Sequence, residues 1–126
     1  MATALQRITE EAFKIEIRGI MKSLRRYRPL RVILFGSFAR GDYHAGSDID
    51  LLIVKETDLP FIERPAEVLR LCQYTLPLEP LVYTPGELER MCREENPFIL
   101  SILREGVVLY ESKPDRRRTL AGPSPV

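Results

Sequence analysis

The sequence RVILFGSFARGDYHAGSDIDLLIV, residues 31–54, decides the fold of this chain. Its two ends, residues 31–35 and 51–54, are short apolar runs with several β-branched side chains, which predicts two buried strands. The first strand ends at Gly36-Ser37, and ten residues later the second opens with Asp48-Ile49-Asp50. Because side chains alternate along a strand, Asp48 and Asp50 share a face and lie about 7 Å apart. Two neighbouring carboxylates beside a glycine-containing turn indicate a site for a metal ion and a phosphate group.

The stretch is not a P-loop, although Gly36 and Gly41 have the spacing of that motif. A P-loop continues with a lysine and then a serine or threonine, whereas this chain has Asp42 and Tyr43 there. No lysine is then available to reach the β- and γ-phosphates of a nucleotide, and the aspartate would repel them. A phosphate must therefore be bound in another way.

The residues around the turn supply a different set of ligands. Gly36 lets the backbone approach a phosphate because it has no Cβ. Ser37 offers a hydroxyl and opens a short helical turn whose N–H groups can point at phosphate oxygens. Arg40 could add a positive charge, or it could be an ordinary surface residue. Asp48 and Asp50 supply the hard oxygen ligands that Mg²⁺ prefers, with substrate phosphates and water completing its octahedron.

A centre of this kind supports phosphoryl or nucleotidyl transfer, in which catalysis consists mainly of positioning and neutralisation of charge. A third carboxylate from a neighbouring strand would complete a two-metal site or activate the attacking hydroxyl. The alternative is that Asp48 and Asp50 are simple carboxylates at the start of a strand. In the loop between the two halves of the motif, His44 is expected to face solvent and Tyr43 to be structural.

The rest of the chain predicts helices around a small sheet. Apolar residues recur at three- and four-residue steps from about Leu5 to Tyr27, which indicates a long amphipathic helix. Residues 84–87, Thr-Pro-Gly-Glu, form a capping box, Asn96 opens a further helix, and Gly106 ends it. The order helix, strand, strand, helix, strand, helix, helix, strand predicts an α/β (α+β) fold, a small mixed β-sheet with helices packed on it. The other predicted elements are a helix from Pro65 and strands at about 78–83 and 107–110.

Length and composition are those of one globular domain. The 126 residues are 44% apolar and 29% charged with a net charge of +1, which gives no reason to expect a nucleic-acid partner. Residues 1–111 are predicted to form the domain, and residues 112–126, rich in proline and arginine, a flexible tail. No apolar run approaches about 18 residues, so no membrane contact is expected. Cys72 and Cys92 are far apart and lack metal-binding spacing. Because the sequence shows no signal peptide and no long apolar run, we expect a reducing, cytoplasmic environment. A homo-oligomer stays open.

The motif Gly-Ser, ten residues, Asp-x-Asp resembles the signature of the nucleotidyltransferase superfamily related to DNA polymerase β. The closing segment ILREGVVLY, residues 102–110, is similar to its minimal nucleotidyltransferase (MNT) family, and the similar segments span about residues 15–111. In that family the third carboxylate is an aspartate shortly before a Val-Tyr-Thr-Pro segment. Here Val-Tyr-Thr-Pro occupies residues 82–85, and Glu79 stands in the aspartate position, beside Pro80. Because of this difference, Glu79 is either a functional ligand or a surface residue at a strand edge.

The resemblance implies a transferase that uses ATP and one or two Mg²⁺ ions to place AMP on a hydroxyl group. Minimal members of the family are encoded beside a helical HEPN-domain protein and resemble antitoxins that adenylylate a tyrosine of that toxin. A nucleoside triphosphate and a HEPN-domain protein are therefore the expected partners. The residues expected to act are Asp48, Asp50 and Glu79 in catalysis and metal binding, and Gly36, Ser37 and Arg40 in nucleotide binding.

Two other functions remain open at this point. One is a binding module that neutralises its partner by forming a complex, which the unusual pair Glu79-Pro80 favours, because proline removes a hydrogen-bond donor from the strand. The other is an adenylyltransferase for small molecules such as aminoglycosides, with a second copy of the chain providing the other wall of the site.

Overall fold

The computed structural model describes residues 4–44 and 46–112. In chain order the elements are α1 (Ala4–Leu24), β1 (Arg31–Phe35), α2 (Ser37–Arg40), β2 (Ile49–Val54), a 3₁₀ turn (Phe61–Glu63), α3 (Arg64–Leu71), β3 (Leu78–Tyr83), α4 (Pro85–Arg93), α5 (Pro97–Glu105) and β4 (Val107–Glu111). The strands of this region form one sheet in the order β3-β2-β1-β4. β3 is parallel to β2, whereas β1 is antiparallel to both β2 and β4. The predicted mixed sheet with packed helices is confirmed.

The element boundaries differ from the sequence prediction at two places near the site. α1 ends at Leu24 rather than Tyr27, because the chain turns there: Arg28 has a left-handed φ of 56° and is followed by a proline. β2 begins at Ile49, so Asp48 lies immediately before the strand instead of inside it. Apart from its first residue, the predicted tail from 112 to 126 lies outside the described residues.

β2 is one of the two inner strands of the sheet, and helices cover both of its faces. Its odd-numbered side chains pack in a core shared with α1 and α3, and its even-numbered leucine and valine pack in a second core shared with α5. Burying an aliphatic side chain of this size contributes about 1.5–3 kcal/mol. Within β2, Asp50 alone is not fully buried. The strand therefore holds this carboxylate in a fixed position at the edge of the second core.

The starts of α4 and α5 are fixed by side-chain caps, as the sequence predicts. The Thr84 hydroxyl accepts a hydrogen bond from the Glu87 N–H at 3.2 Å, and Glu87 Oε1 accepts one from the Thr84 N–H at 2.8 Å. At α5, Asn96 Oδ1 accepts from the N–H groups of Phe98 and Ile99 at 3.0 and 3.1 Å. Each cap provides partners for N–H groups that have none inside the helix.

Gly106 brings the end of α5 close against β1. A Cβ at this position would lie 2.5 Å from both the Ile102 carbonyl oxygen and Ile33 Cγ2, which is closer than packed atoms approach. Any other residue would push the helix away from the sheet. Gly106 thus keeps α5 over the same sheet face that carries Asp50.

A buried arginine joins three elements at the other end of β3. Arg64 is 5% exposed, and its guanidinium forms a two-point ion pair with Glu87 at 2.6 and 3.2 Å. It also donates to the carbonyl oxygens of Leu59 at 2.8 Å and Val82 at 3.1 Å. These bonds connect the start of α3 to β3 and α4. The sequence gives no sign of this contact, because its partners are far apart along the chain.

Two further features of the structure are the burial of the two cysteines and the apolar character of the helices. Cys72 is buried, which raises the pKa of its thiol, and Cys92 is only partly buried. Cys72 packs in the core shared with α1 and α3, and Cys92 packs against the core shared with α5. Among the described residues, no helix combines the length and the apolar character needed to cross a membrane.

Replacing Arg64 by methionine is expected to lower the free energy of unfolding by about 3 kcal/mol, because Glu87 and two carbonyl groups lose a buried partner. Arg70→Met, at an exposed position of the same helix, is the matched control and should change it by less than about 0.5 kcal/mol. Chemical denaturation at neutral pH measures both changes.

The same variant has a predictable pH dependence. The hydrogen bonds from Arg64 are the main cause that holds the pKa of Glu87 below its ordinary value. The stabilisation is therefore present above the ordinary pKa of glutamate and is lost as the pH falls through the lower pKa of the folded state. The difference in the free energy of unfolding between wild type and Arg64→Met should be smaller at about pH 3 than at neutral pH. If the difference is the same at both pH values, the ion pair is not its source.

Candidate active site

The glycine-containing turn forms the first wall of the site. α2 is a single helical turn between two glycines with left-handed φ values, 76° at Gly36 and 86° at Gly41. The N–H groups of Ala39 and Arg40 bond back to the Gly36 carbonyl oxygen at 3.1 Å. The N–H groups that come first in a helix have no acceptor inside it, so the backbone at Ser37 retains donors for a ligand.

An aromatic stack holds this turn against α1. The Phe38 ring is buried and stacks on Phe13 of α1, with centroids 4.4 Å apart, and on Tyr43, with centroids 4.7 Å apart. Tyr43 is thus structural, as predicted. The role of Phe13 could not be read from the sequence, because helical spacing shows only that it faces a core and not which residue it meets.

The Asp50 carboxylate lies directly on the backbone of Gly36. Asp50 pairs with Phe35 across the antiparallel strands β1 and β2, which places it beside the following glycine. A Cβ at Gly36 would lie 3.1 Å from Asp50 Cγ and closer still to Oδ2. Gly36 is therefore required for two independent reasons, its backbone conformation and the approach of the carboxylate.

Glu79 lies on the other side of Asp50. The two residues are direct partners in the parallel register of β2 and β3, so their side chains leave the same face of the sheet. Burial, the charge of Glu79 and the charge of Asp48, in that order, raise the pKa of Asp50 to about 6, against a weaker opposing effect of Arg40. The predicted third carboxylate is thus next to Asp50, and the site concentrates negative charge.

These residues fit a divalent cation that is bound jointly with a substrate. Within residues 4–44 and 46–112, no three histidine, cysteine, aspartate or glutamate side chains form a ready-made metal cage. Mg²⁺ is commonly bound by one or two carboxylates together with substrate phosphates and water. Asp48 and Asp50 both line the cavity and have the required oxygen donors, whereas Glu79, predicted as a third ligand, is the strand partner of Asp50 but does not line the cavity.

A cavity of about 600 Å³ lies above these carboxylates, a size typical of small-molecule sites. The Gly36 turn and the loop before Asp48 form one side, and α5 forms the other. The side chains that α5 contributes are Phe98, Ser101, Ile102 and Glu105. The sequence alone does not place α5 at the site. Their spacing of three, four and seven residues marks one helix face, but spacing alone does not say what that face meets.

The loop before Asp48 is held by its own hydrogen bonds. The His44 N–H donates to the Ser47 hydroxyl at 2.9 Å, and the Ser47 N–H donates to the His44 carbonyl oxygen at 2.9 Å. The Gly46 N–H donates to His44 Nδ1 at 3.0 Å. Ser47 is buried, whereas His44 is exposed, as expected, and also lines the cavity. These bonds fix the chain just before Asp48.

Arg40 lies at the rim of the cavity. Its Nε donates to Asp42 Oδ2 at 3.2 Å, and both side chains are more than half exposed. Exposed ion pairs of this type contribute about 0–1 kcal/mol, so Arg40 can exchange Asp42 for another anion at little cost. Its contact with a phosphate stays a prediction.

The mixed sheet, the Gly-Ser turn and the carboxylates beside it are the features of a nucleotidyl-transferring class of protein. Residues 14–110 match the model of the nucleotidyltransferase domain family, and the chain belongs to this family. The predicted enzyme class, a nucleotidyltransferase, is thereby confirmed. Members of the family use a nucleoside triphosphate and a divalent metal ion, so a nucleoside triphosphate is the substrate class of this chain.

Two proteins of Methanocaldococcus jannaschii, both named "Putative protein adenylyltransferase", are similar to the chain. The first is 38% identical over 101 residues, which cover 80% of this chain and 97% of that protein. The second is 34% identical over 76 residues, 56% of this chain and 72% of that protein. A crystal structure titled as a "putative nucleotidyltransferase" from Sulfolobus solfataricus has a TM-score of 0.51 at 24% identity, covering 79% of this chain and 86% of that one. The last likeness is one of fold.

Gly36→Ala is expected to destabilise the protein by clearly more than Gly41→Ala. Both glycines have a positive φ: Gly41 lies in the left-handed α region, where alanine costs about 1–2 kcal/mol, and Gly36, with a ψ of −156°, lies in a region that is essentially restricted to glycine, where the backbone cost is higher. Only at Gly36 does the added Cβ also meet Asp50; at Gly41 no atom lies within 4 Å. Chemical denaturation of both variants measures the difference, and equal losses would contradict the contact between Gly36 and Asp50.

The cation-free protein should lose stability as the pH rises from about 4 to about 7, because folding raises the pKa of Asp50 to about 6. The folded state binds this proton more tightly than the unfolded chain, so acidification is stabilising in this window. Asp50→Asn should flatten this part of the profile, and Asp58→Asn, at an exposed position, should not. Denaturation in the presence of EDTA tests this, and an unchanged slope in Asp50→Asn would assign it to other groups.

Proposed function

We propose that this nucleotidyltransferase transfers AMP from Mg²⁺-bound ATP to a hydroxyl group of a protein partner. The observation that carries the proposal is the position of the Asp50 carboxylate, between the Gly36 backbone and Glu79 at the base of a nucleotide-sized cavity. The names of the two Methanocaldococcus jannaschii relatives support a protein as the acceptor.

Each residue of the site has a task in this reaction. The backbone and hydroxyl of Ser37, with the open backbone of Gly36, hold the β- and γ-phosphates, and Arg40 adds a positive charge at the rim. Asp48 and Asp50 hold the Mg²⁺ ion, which when bound neutralises charge on the phosphates. The protein thereby fixes the triphosphate in one orientation, with the α-phosphorus near the carboxylates.

The bond changes follow from this orientation. The acceptor oxygen attacks the α-phosphorus, a new oxygen–phosphorus bond forms, and the bond from the α-phosphorus to the bridging oxygen breaks, releasing pyrophosphate. The acceptor proton goes to a carboxylate, and Glu79 is our candidate because it stands beside Asp50 at an exposed position on the edge strand. A glutamate reaches one methylene further than the aspartate of related proteins, which suits its place outside the cavity wall.

We propose further that the partner is a HEPN-domain protein in the cytoplasm, that the acceptor is a tyrosine, and that the chain acts as its antitoxin. The support is the likeness of residues 102–110 and of the Gly-Ser and Asp-x-Asp segments to the minimal nucleotidyltransferases. A binding module without transfer is the second candidate, and the specific feature that favours it is Glu79-Pro80 in place of the usual aspartate.

Asp48→Asn and Asp50→Asn are each expected to lower AMP transfer by at least about a hundredfold, since the triphosphate charge is then no longer neutralised in place. The assay mixes the protein, Mg²⁺ and a HEPN-domain protein encoded beside it with ATP labelled at the α- or the γ-phosphate. Label from the α-position should appear on the partner and label from the γ-position should not. Asp58→Asn is the control that retains activity, and mass spectrometry identifies the modified side chain.

The outcome separates the two candidates. A stable complex that carries no label, and that forms equally well with Asp48→Asn and Asp50→Asn, would contradict transfer and favour the binding module. Label from the γ-phosphate would also contradict it, because the reaction would then be a phosphorylation. If Glu79 accepts a proton and holds no metal, Glu79→Gln should lower the rate of AMP transfer less than Asp48→Asn or Asp50→Asn does.

A further inference from the structure

The α5 wall of the cavity carries an aromatic ring that the phosphate chemistry does not use. Phe98 lines the cavity, and its side chain is 48% exposed, so part of the ring is free to contact a ligand. Ile102, which is buried, lies one turn further along the same helix face and supports the wall. The wall is therefore a fixed apolar surface with one open ring.

The position of this ring relative to the phosphate turn follows from its contact with Phe35. The two rings meet edge to face, with centroids 5.9 Å apart and an interplanar angle of 84°. Phe35 directly precedes Gly36 and pairs with Asp50. Phe98 is thus one side-chain contact away from the place where the α-phosphate is expected. An edge-to-face contact fixes the tilt of a ring while leaving aromatic surface free for another partner.

The geometry of a nucleoside triphosphate connects these two walls. Its β- and γ-phosphates and its nucleoside leave the α-phosphate in different directions. With the β- and γ-phosphates on the turn at Gly36-Ser37, the nucleoside has to lie along another part of the cavity, and α5 supplies the other lining wall. Flat aromatic bases stack well on phenyl rings, whatever their hydrogen-bonding pattern.

We infer that Phe98 is the stacking surface for the base of the donor nucleotide, an inference that rests on the proposed function of the site. Binding is then divided between two walls: the turn and carboxylates take the triphosphate, and α5 takes the base. Purines, with their larger ring system, bind this wall more tightly than pyrimidines do. A ligand that consists of phosphates alone does not contact it.

Phe98→Ala should weaken binding of α,β-methylene-ATP with Mg²⁺ about tenfold or more, while leaving the binding of inorganic tripolyphosphate unchanged. Isothermal titration calorimetry measures both ligands on the full chain. Phe98→Tyr, which keeps the ring, should retain affinity for the analogue. Leu100→Ala is the matched control, because Leu100 is 37% exposed on the same helix but does not line the cavity. Thermal melting verifies that each variant folds.

The deciding quantity is the affinity for α,β-methylene-ATP divided by the affinity for tripolyphosphate, compared between wild type and Phe98→Ala. If Phe98→Ala weakens both ligands equally, or neither, the stacking role is overturned and the proposed transfer still stands. If the ratio falls as expected while no label reaches the partner, the proposed transfer is contradicted and the stacking role stands. Wild-type protein that binds neither ligand would overturn both.

Discussion

The structure depends on holding one carboxylate in a place where its charge is unfavourable. Asp50 interrupts a strand whose other side chains are all buried, and it lies between the backbone of Gly36 and the side chain of Glu79. Isolated, such a group is desolvated and repelled by its neighbours. A cation and a triphosphate reverse both effects, since opposite charges attract strongly where water is partly excluded. The folding core thus supplies the rigidity, and the ligand supplies the compensating charge.

The surrounding elements keep this arrangement open and rigid at once. The stack on Phe38 fixes the turn from the α1 side, and Gly106 holds α5 on the other side of the cavity. Arg64 fastens β3, and with it the strand of Glu79, to α3 and α4. None of these three contacts touches the space for the ligand. They act on function by limiting how far the walls and the carboxylates can shift.

Local sequence patterns predicted most of the fold. The Thr84 and Asn96 caps, the strands around the Gly36 turn and the mixed sheet depend on neighbouring residues, and all are present. The sequence left Glu79 as either a functional ligand or a surface residue at a strand edge; the structure pairs it with Asp50 at an exposed position on the edge strand. The contacts between distant segments could not be predicted from the sequence. These are the α5 wall of the cavity and the ion pair between Arg64 and Glu87. Such pairs are chosen by the three-dimensional path of the chain, which helical or strand periodicity does not encode.

The order of the strands has a consequence for biosynthesis. β4 pairs with β1, yet it is the last strand of the described chain to be made, and α5 immediately precedes it. A growing chain therefore holds the Gly-Ser turn and all three carboxylates while one edge of β1 is still bare and half of the cavity does not exist. Such an edge can pair with other chains until it is covered. An interrupted translation product would carry the complete motif and no cavity to bind a nucleotide.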